Sequence, residues 1–411
     1  MGAVTSANAS PSTPAPTPWG LVILLGSLTA LGPLAIDMYL PSLPAIGAAL
    51  KADPSQTQAT VATFLAGMAI GQLFYGPASD RMGRRGPILF GAAVFVLASI
   101  GCALAQTVDQ LLVGRFIQAL GACAGGVVVR AVVRDQFSHT DTARILSLMM
   151  LIMGLAPILA PMLGGVLLSL GDWSWNFWFM ALVGLAIGAA AMLRLKESRS
   201  EATAIQASKE NPFQSYLAVL SQKRLVGYAL CGALNGATLF TYISSSPDVM
   251  MGTYKVPVGV FPFVFAMNAV AVIGSSQLNR LALRNATTDE VLSRASTVSL
   301  VVGVLLALAA VTGIGGVWTV LPLLFLLLGS YGFMAGNTTA GALSVDPLRS
   351  GATSALLGAA SFAAGALTSS LAGAFHDGTA RPMALVMLAS LIGSAVSLRL
   401  LALPPRRAPG P

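Results

Sequence analysis

Asp37 is the single acidic residue inside any long apolar run of this chain, and Arg115 is a basic residue embedded in another. A charge in hydrocarbon costs about 2.5–3.5 kcal/mol on insertion scales, so each should face other protein and have a partner or a task. A sequestered carboxyl can take up and release a proton as its surroundings change. Loss of water and approach of a guanidinium act in opposite senses on its proton affinity. Gln118, three residues beyond Arg115, shares its helical face. The alternative placing makes Asp37 a solvated cap at the membrane surface just before Pro41. Arg130, a further embedded base, lies near the end of its run, where it can snorkel or join Asp80 and Asp135; the spacing favours a structural role.

Other groups of residues point to mechanics rather than bond chemistry. Gly76, Asp80, Arg81, Gly83, Arg84 and Arg85 fall in one short loop, where the glycines permit a tight turn and the charges can form a network. Gly154, Pro157, Pro161, Gly164 and Gly165 lie in one apolar run; prolines four apart bend a helix, and small residues permit close packing. Tyr39, Gln118, Asn235, Tyr242 and Asn268 are polar side chains in apolar stretches, as either substrate contacts or helix-packing hydrogen bonds. Cys102, Cys123 and Cys231 lie in apolar runs without metal-ligand spacing, and His139 and His376 fall between runs. No metal site, cofactor or catalytic dyad is expected, which argues against an enzyme.

The elements that must position these residues follow from composition. Of 411 residues, 55% are hydrophobic and 9% charged, with a mean hydropathy of +0.78. A soluble protein of this length carries about 25% charged residues, so most of this surface faces lipid. A spanning helix needs about 20 apolar residues. Twelve runs qualify, near 19–40, 59–79, 86–106, 110–133, 143–169, 175–194, 225–246, 258–279, 295–314, 317–338, 352–374 and 381–403. The separation of the ninth and tenth rests on Thr312 to Gly316 alone.

An even number of spans puts both termini on one side. Eighteen of the 23 basic residues fall on that side; three, Lys51, Lys255 and Arg381, fall on the other, and Arg115 and Arg130 lie within a run. Positive residues stay in the cytoplasm, so both termini are expected inside. The same distribution removes the nucleic-acid reading of the +8 net charge, because the bases are dispersed among loops. The expected organisation is a disordered tail (1–18), a six-helix bundle (19–194), a polar cytoplasmic linker (195–224), a second six-helix bundle (225–403) and a short tail (404–411). Two such halves joined by a linker is a transporter layout. With helix one entering near Trp19, Asp37 lies roughly 27 Å across; Arg115 lies roughly 8 Å below the far face. In a core about 30 Å thick the two depths differ by only about 5 Å, so an ion pair, direct or through water, is feasible.

Gly76 to Arg85 resembles the signature loop G-x-x-x-D-R-x-G-R-R of the major facilitator superfamily. Arg115 to Ala119 is similar to its helix-four motif R-x-x-Q-G, with Ala119 in place of glycine. Gly154 to Gly165 resembles its antiporter motif, with Ala160 and Pro161 at the proline step. The segments Asp37–Pro44, Gly71–Pro77, Arg134–Asp135 and Tyr242–Pro247 resemble the Bcr/CflA drug-resistance exporters within that superfamily. The resemblance spans residues 19–400. It implies drug:proton antiport in a bacterial inner membrane, with the loop's Asp and Arg residues locking the two halves together on the cytoplasmic side. Some relatives carry a second acid two turns before the Asp of helix one; Thr29 stands there, so Asp37 would act alone.

The expected protein is a multi-pass, monomeric exporter driven by the proton gradient, with a small molecule, protons and the lipid bilayer as its partners. The cavity should hold few charges and take neutral, zwitterionic or amphipathic substrates. A proton-coupled importer of a small metabolite shares the fold and is the alternative. A channel or receptor has less use for the hinge loop and the proline-bearing helix.

Overall fold

In hydrocarbon a backbone must satisfy its own N–H and C=O groups, and a helix does so within one segment. The computed structural model describes residues 19–137, 139–209 and 211–403; both expected tails, 1–18 and 404–411, lie outside the described residues. No strand occurs among the described residues. Helix α1 (Trp19–Asp37) continues through a 3-10 turn, Leu40–Ser42, into α2 (Leu43–Leu50). Then follow α3 (Pro54–Met82), α4 (Arg85–Ala103), α5 (Val108–Gln136), α6 (His139–Leu170) and α7 (Ser174–Arg194). The polar linker itself folds into α8 (Glu201–Lys209) and α9 (Pro212–Leu220). The second half holds α10 (Lys223–Pro247), extended by a π-helical turn Asp248–Thr253, then α11 (Phe261–Ala282) and α12 (Thr288–Thr312). It ends with α13 (Val317–Val345), α14 (Ser350–Ala374) and α15 (Arg381–Ser397). Among the described residues, twelve spans are long and apolar enough to cross a membrane, one for each expected run. The ninth and tenth are separate, divided between Thr312 and Val317.

Helix starts carry the expected chemistry. Asp53 accepts from the Gln56 backbone N–H while the Gln56 side chain accepts from that of Asp53, and Thr287 with Glu290 repeats the device. Large apolar side chains such as Leu97, Leu182, Leu193, Leu308 and Leu367 stand exposed around the outside. Such a surface is a liability in water and suits lipid. Helix α6 is unbroken through Pro157 and Pro161.

Each half packs on itself: α5 against α3, α4 and α1 in the first, and α10 against α13, α14 and α15 in the second. The halves meet along α3 with α14 and α6 with α11. Small residues make the first seam close. Gln72 rests against Gly358, and Gly373 against Ser55 and Gln58. At the end of the molecule away from the linker, Ser245 donates to Gln58 across the seam (3.2 Å). There, too, His376 Nε2 pairs with Asp248 (2.8 Å) and Thr253 donates to the Gly378 carbonyl (3.0 Å), tying the loop after α14 to the end of α10. The seam is closed at this end and parts towards the linker.

The glycines of α6 have unequal duties. A Cβ on Gly164 would overlap the Met38 carbonyl, so α6 crosses the end of α1 in direct backbone contact. A Cβ on Gly165 would meet only Pro262 at an ordinary 3.5 Å. Gly164→Ala should therefore cost about 1–3 kcal/mol through forced separation of α1 and α6, and Gly165→Ala close to nothing. Denaturation of the purified variants in one detergent checks this; equal losses would show that the contact is not discriminating.

Candidate functional site

Asp37 is the last residue of α1, where a helix exposes unpaired carbonyls and the chain must turn. It is 4% exposed, and its Oδ1 has no hydrogen-bond partner. The solvated-cap placing is thus ruled out. Its electrostatic neighbour across the seam is Tyr242 of α10. Tyr242 stacks on Phe265 (5.6 Å between centroids) and accepts from Asn268 Nδ2 (2.9 Å). Asn268 Oδ1 is buried without a hydrogen-bond partner among the described residues, and the hydroxyl of Ser246, one turn beyond Tyr242 on α10, lies beside the phenol. Helices α1, α10 and α11 therefore bring an acid, a phenol and an amide to the meeting of the two halves.

Arg115 is wholly buried, yet the direct ion pair with Asp37 that the depths allow is not formed: among the described residues, Asp37 has no ion-pair partner. The turn after Asp37 carries Tyr39 onto the guanidinium instead. The Arg115 Cζ lies 4.2 Å from the Tyr39 ring centroid, 4.3 Å from that of Phe64 and 5.8 Å from that of Phe177. Desolvated cation–π contacts are worth about 2 kcal/mol or more, enough to compete with a distant carboxylate. Arg115 Nη1 donates to Gln118 Oε1 (2.6 Å), and Gln118 Nε2 to Ser99 (2.7 Å), while Arg115 Nε and Nη2 have no acceptor. Tyr39 is anchored by a hydrogen bond with Thr60 (2.9 Å).

Of the polar picks, Gln118 and Tyr39 thus serve the guanidinium. Tyr242 and Asn268 pair with each other next to Asp37. Asn235 is buried with a free Nδ2. None of the five lines the cavity that opens towards the linker. The sequence missed Phe64 and Phe177, since a phenylalanine in a spanning helix looks the same whether it faces lipid or a cation. It also missed Ser246, although three consecutive serines at 244–246 in an apolar helix were a legible signal.

The linker-side cavity, about 710 Å³, lies between α3 and α5 on one side and α14 on the other, with α8 and α9 beneath. Tyr216 of α9 donates to the Leu73 carbonyl (2.9 Å), fixing that floor. The expectation of a cavity with few charges fails at this end: Asp80, Arg81, Arg130, Arg134 and Arg349 all line it. Arg130 does not join Asp80 or Asp135, because Arg84 takes both. Arg84 is 3% exposed; its Nη1 binds Asp80 and Ser79, and its Nε binds Asp135 (2.8 Å).

Among the described residues, the contacts of Asp80, Arg84 and Arg85 therefore form a network within the first half and the linker, and the cavity parts the two halves here. Gly83 turns the chain at φ +95°, and a Cβ there would collide with the Glu197 carboxylate. That carboxylate accepts from the backbone N–H groups of Arg84, Arg85, Ser198 and Arg199 at 2.8–3.2 Å. Arg199 returns to the Asp80 and Arg81 carbonyls, and Arg81 Nε reaches Ala207 (3.3 Å).

Burial works against the charged form of Glu197, but the four donors outweigh it and hold its pKa below the ordinary 4.5. A depressed carboxyl stabilises above its unfolded pKa, and the contribution fades as pH falls through the folded value. Hydrogen exchange, referenced to an unstructured peptide, should show protection near residues 84–85 and 197–199 that weakens below about pH 4.5. Glu197→Gln should have low protection already at pH 7 and a flatter profile. An unchanged profile in that variant would remove the carboxylate from the account.

Comparison with known proteins bears on this arrangement. The model of the Major Facilitator Superfamily matches residues 25–373. The uncharacterized MFS-type transporter YdgK of Bacillus subtilis is 35% identical over 91% of this chain and 93% of its own. A bicyclomycin resistance protein homolog of Haemophilus influenzae is 31% identical over 92% and 94%. The multidrug resistance protein MdtL of Escherichia coli K12 is 35% identical over 59% and 61%. The resemblance to the Bcr/CflA exporters is thereby borne out. Among solved structures, the E. coli xylose transporter XylE in a partially occluded inward-open form superposes with a TM-score of 0.71 at 14% identity, covering 92% of this chain and 96% of that one. A bacterial homolog of the lysosomal transporter Spinster gives 0.68 at 13%, covering 94% and 96%. These two share the fold alone. With twelve spans, a family model matched over most of its length and full-length relatives above 30% identity, the chain belongs to the major facilitator superfamily of membrane transporters.

Proposed function

We propose that this transporter is a proton-coupled antiporter that exports small amphipathic drugs or metabolites from a bacterial cytoplasm across the inner membrane. The observation that carries this reading is the Asp37 carboxyl, buried at the meeting of the halves with an oxygen that has no partner. A carboxylate in that setting is costly, and a proton or a hydrogen-bonding substrate relieves the cost. The two are then exclusive occupants of one place, which is the condition for exchange. The charge of Arg115, shielded by three rings rather than neutralised, adds a field that changes if Tyr39 moves with the end of α1.

The direction of transport rests on the relatives, whose names record bicyclomycin and multidrug resistance. The eighteen-to-three distribution of bases supports a linker and both termini on the cytoplasmic side. On that reading the open cavity faces the cytoplasm and the closed end the outside. Alternating access is then rocking of one half on the other about α3–α14 and α6–α11. The protein would work as a monomer, each chain carrying its own site between its two halves.

The test is expression in an efflux-deficient bacterium challenged with a panel of antibiotics and metabolites, with and without an uncoupler. Resistance should fall to the vector level with the uncoupler, and Asp37→Asn should abolish it at unchanged expression. Export by Asp37→Asn that is undiminished and still uncoupler-sensitive would end the proposal.

A further inference from the structure

Two of the arginines in the linker-side cavity have no carboxylate paired with them among the described residues. Arg130 and Arg134 lie one turn apart on the same face of α5, and among the described residues neither has a hydrogen-bond or ion-pair partner. Like charges four residues apart on a helix repel, costing about 0.2–0.5 kcal/mol, so the pair is not there for stability. Among the described residues, the neighbouring carboxylates Asp80 and Asp135 are spent on Arg84. Across the cavity Arg349 holds Asp346 at 2.8 Å through Nη1, and its backbone N–H also donates to that carboxylate. The carboxylate of Asp346 is further occupied by Gln222 (2.7 Å). A recess of this size, walled by low-dielectric side chains, focuses the field of its unneutralised cations and concentrates anions. The rest of its lining is mixed: Val127, Leu146, Leu348 and Ala352 offer apolar surface, and Ser215 and Ser354 offer hydroxyls.

We propose that this cavity binds the anionic group of a small amphipathic molecule, a carboxylate, sulfonate or phosphate, between Arg130 and Arg134 of the first half and Arg349 of the second, with its apolar body against Val127 and Leu146. Planar guanidinium forks suit such oxyanions, and the volume suits one drug-sized molecule. An anionic lipid headgroup offers the same chemistry. The proposal deepens the export reading by naming a substrate class for the inward-open state, and it rests on that reading only for the word substrate. An anion bridging the two halves here would also draw the parted ends of α5 and α14 together.

The purified protein in nanodiscs of phosphatidylcholine tests it, with dansylglycine and its methyl ester as a matched acid and neutral probe. Wild type should bind the acid at least about tenfold more tightly than the ester, as a charge-assisted bond gained without new apolar contact requires. Arg130→Gln should bring the two affinities together by weakening the acid alone, with Arg130→Lys intermediate. Asp37→Asn should keep the full preference, so loss of coupling and loss of the anion site are read separately. Adding phosphatidylglycerol to the discs separates the sources. Acid preference that survives identifies a free anion as the occupant, and preference lost by competition in wild type identifies the lipid headgroup. Equal affinity of wild type for acid and ester, or a preference that Arg130→Gln leaves intact, overturns the proposal.

Discussion

A bundle of helices in lipid can hide a charge only where two parts of the protein cover it, and covering it makes the charge depend on how those parts sit. That constraint organises this molecule. Asp37 and Arg115 are both withdrawn from lipid and water, and neither neutralises the other. The guanidinium is held by ring faces and one glutamine, interactions that tolerate small displacements better than a salt bridge with fixed geometry. The carboxyl is left with an unmet hydrogen bond, a state worth about 1–3 kcal/mol to relieve. A site in that condition responds to a proton, a ligand or a change in the seam.

The seam supplies the change. Along α3 and α14, glycines and short side chains bring the halves together at the end away from the linker, and the same helices diverge around the arginine-lined cavity. The backbone crossing at Gly164 and Met38 ties α6 to the residue next to Asp37. A shift of α6 against α11 is therefore felt at the carboxyl. At the other end, the loop between α3 and α4 is bound to the linker through Glu197 and Arg199, so the first half and the linker's start behave as one piece.

Much of this was legible in the residues. Twelve apolar runs gave twelve spans because hydrocarbon thickness sets helix length and backbone hydrogen bonding forbids alternatives. The burial of Asp37 and Arg115 followed from the cost of a lone charge. Their failure to pair did not follow, because depth along two helices says nothing about rotation, and Tyr39 lies between the two in the chain's path. The fate of Arg130 was hidden for a related reason: Arg84 captures both nearby carboxylates, a competition decided by the turn at Gly83 and invisible to spacing. The linker's helices were not legible because each is only nine residues long: α8 is polar, and α9 is apolar enough to rest on the bundle, where Tyr216 fixes it to Leu73.

The central claim is that Asp37 carries a carboxyl whose protonation is coupled to the arrangement of the two halves. Infrared titration of the purified transporter, taken as the difference between wild type and Asp37→Asn, reads that carboxyl directly. The account expects one titrating carboxyl band, absent from the variant, whose midpoint shifts when an engineered disulfide holds the linker-side cavity shut. A difference spectrum with no titrating band, or with a midpoint indifferent to that crosslink, would contradict it.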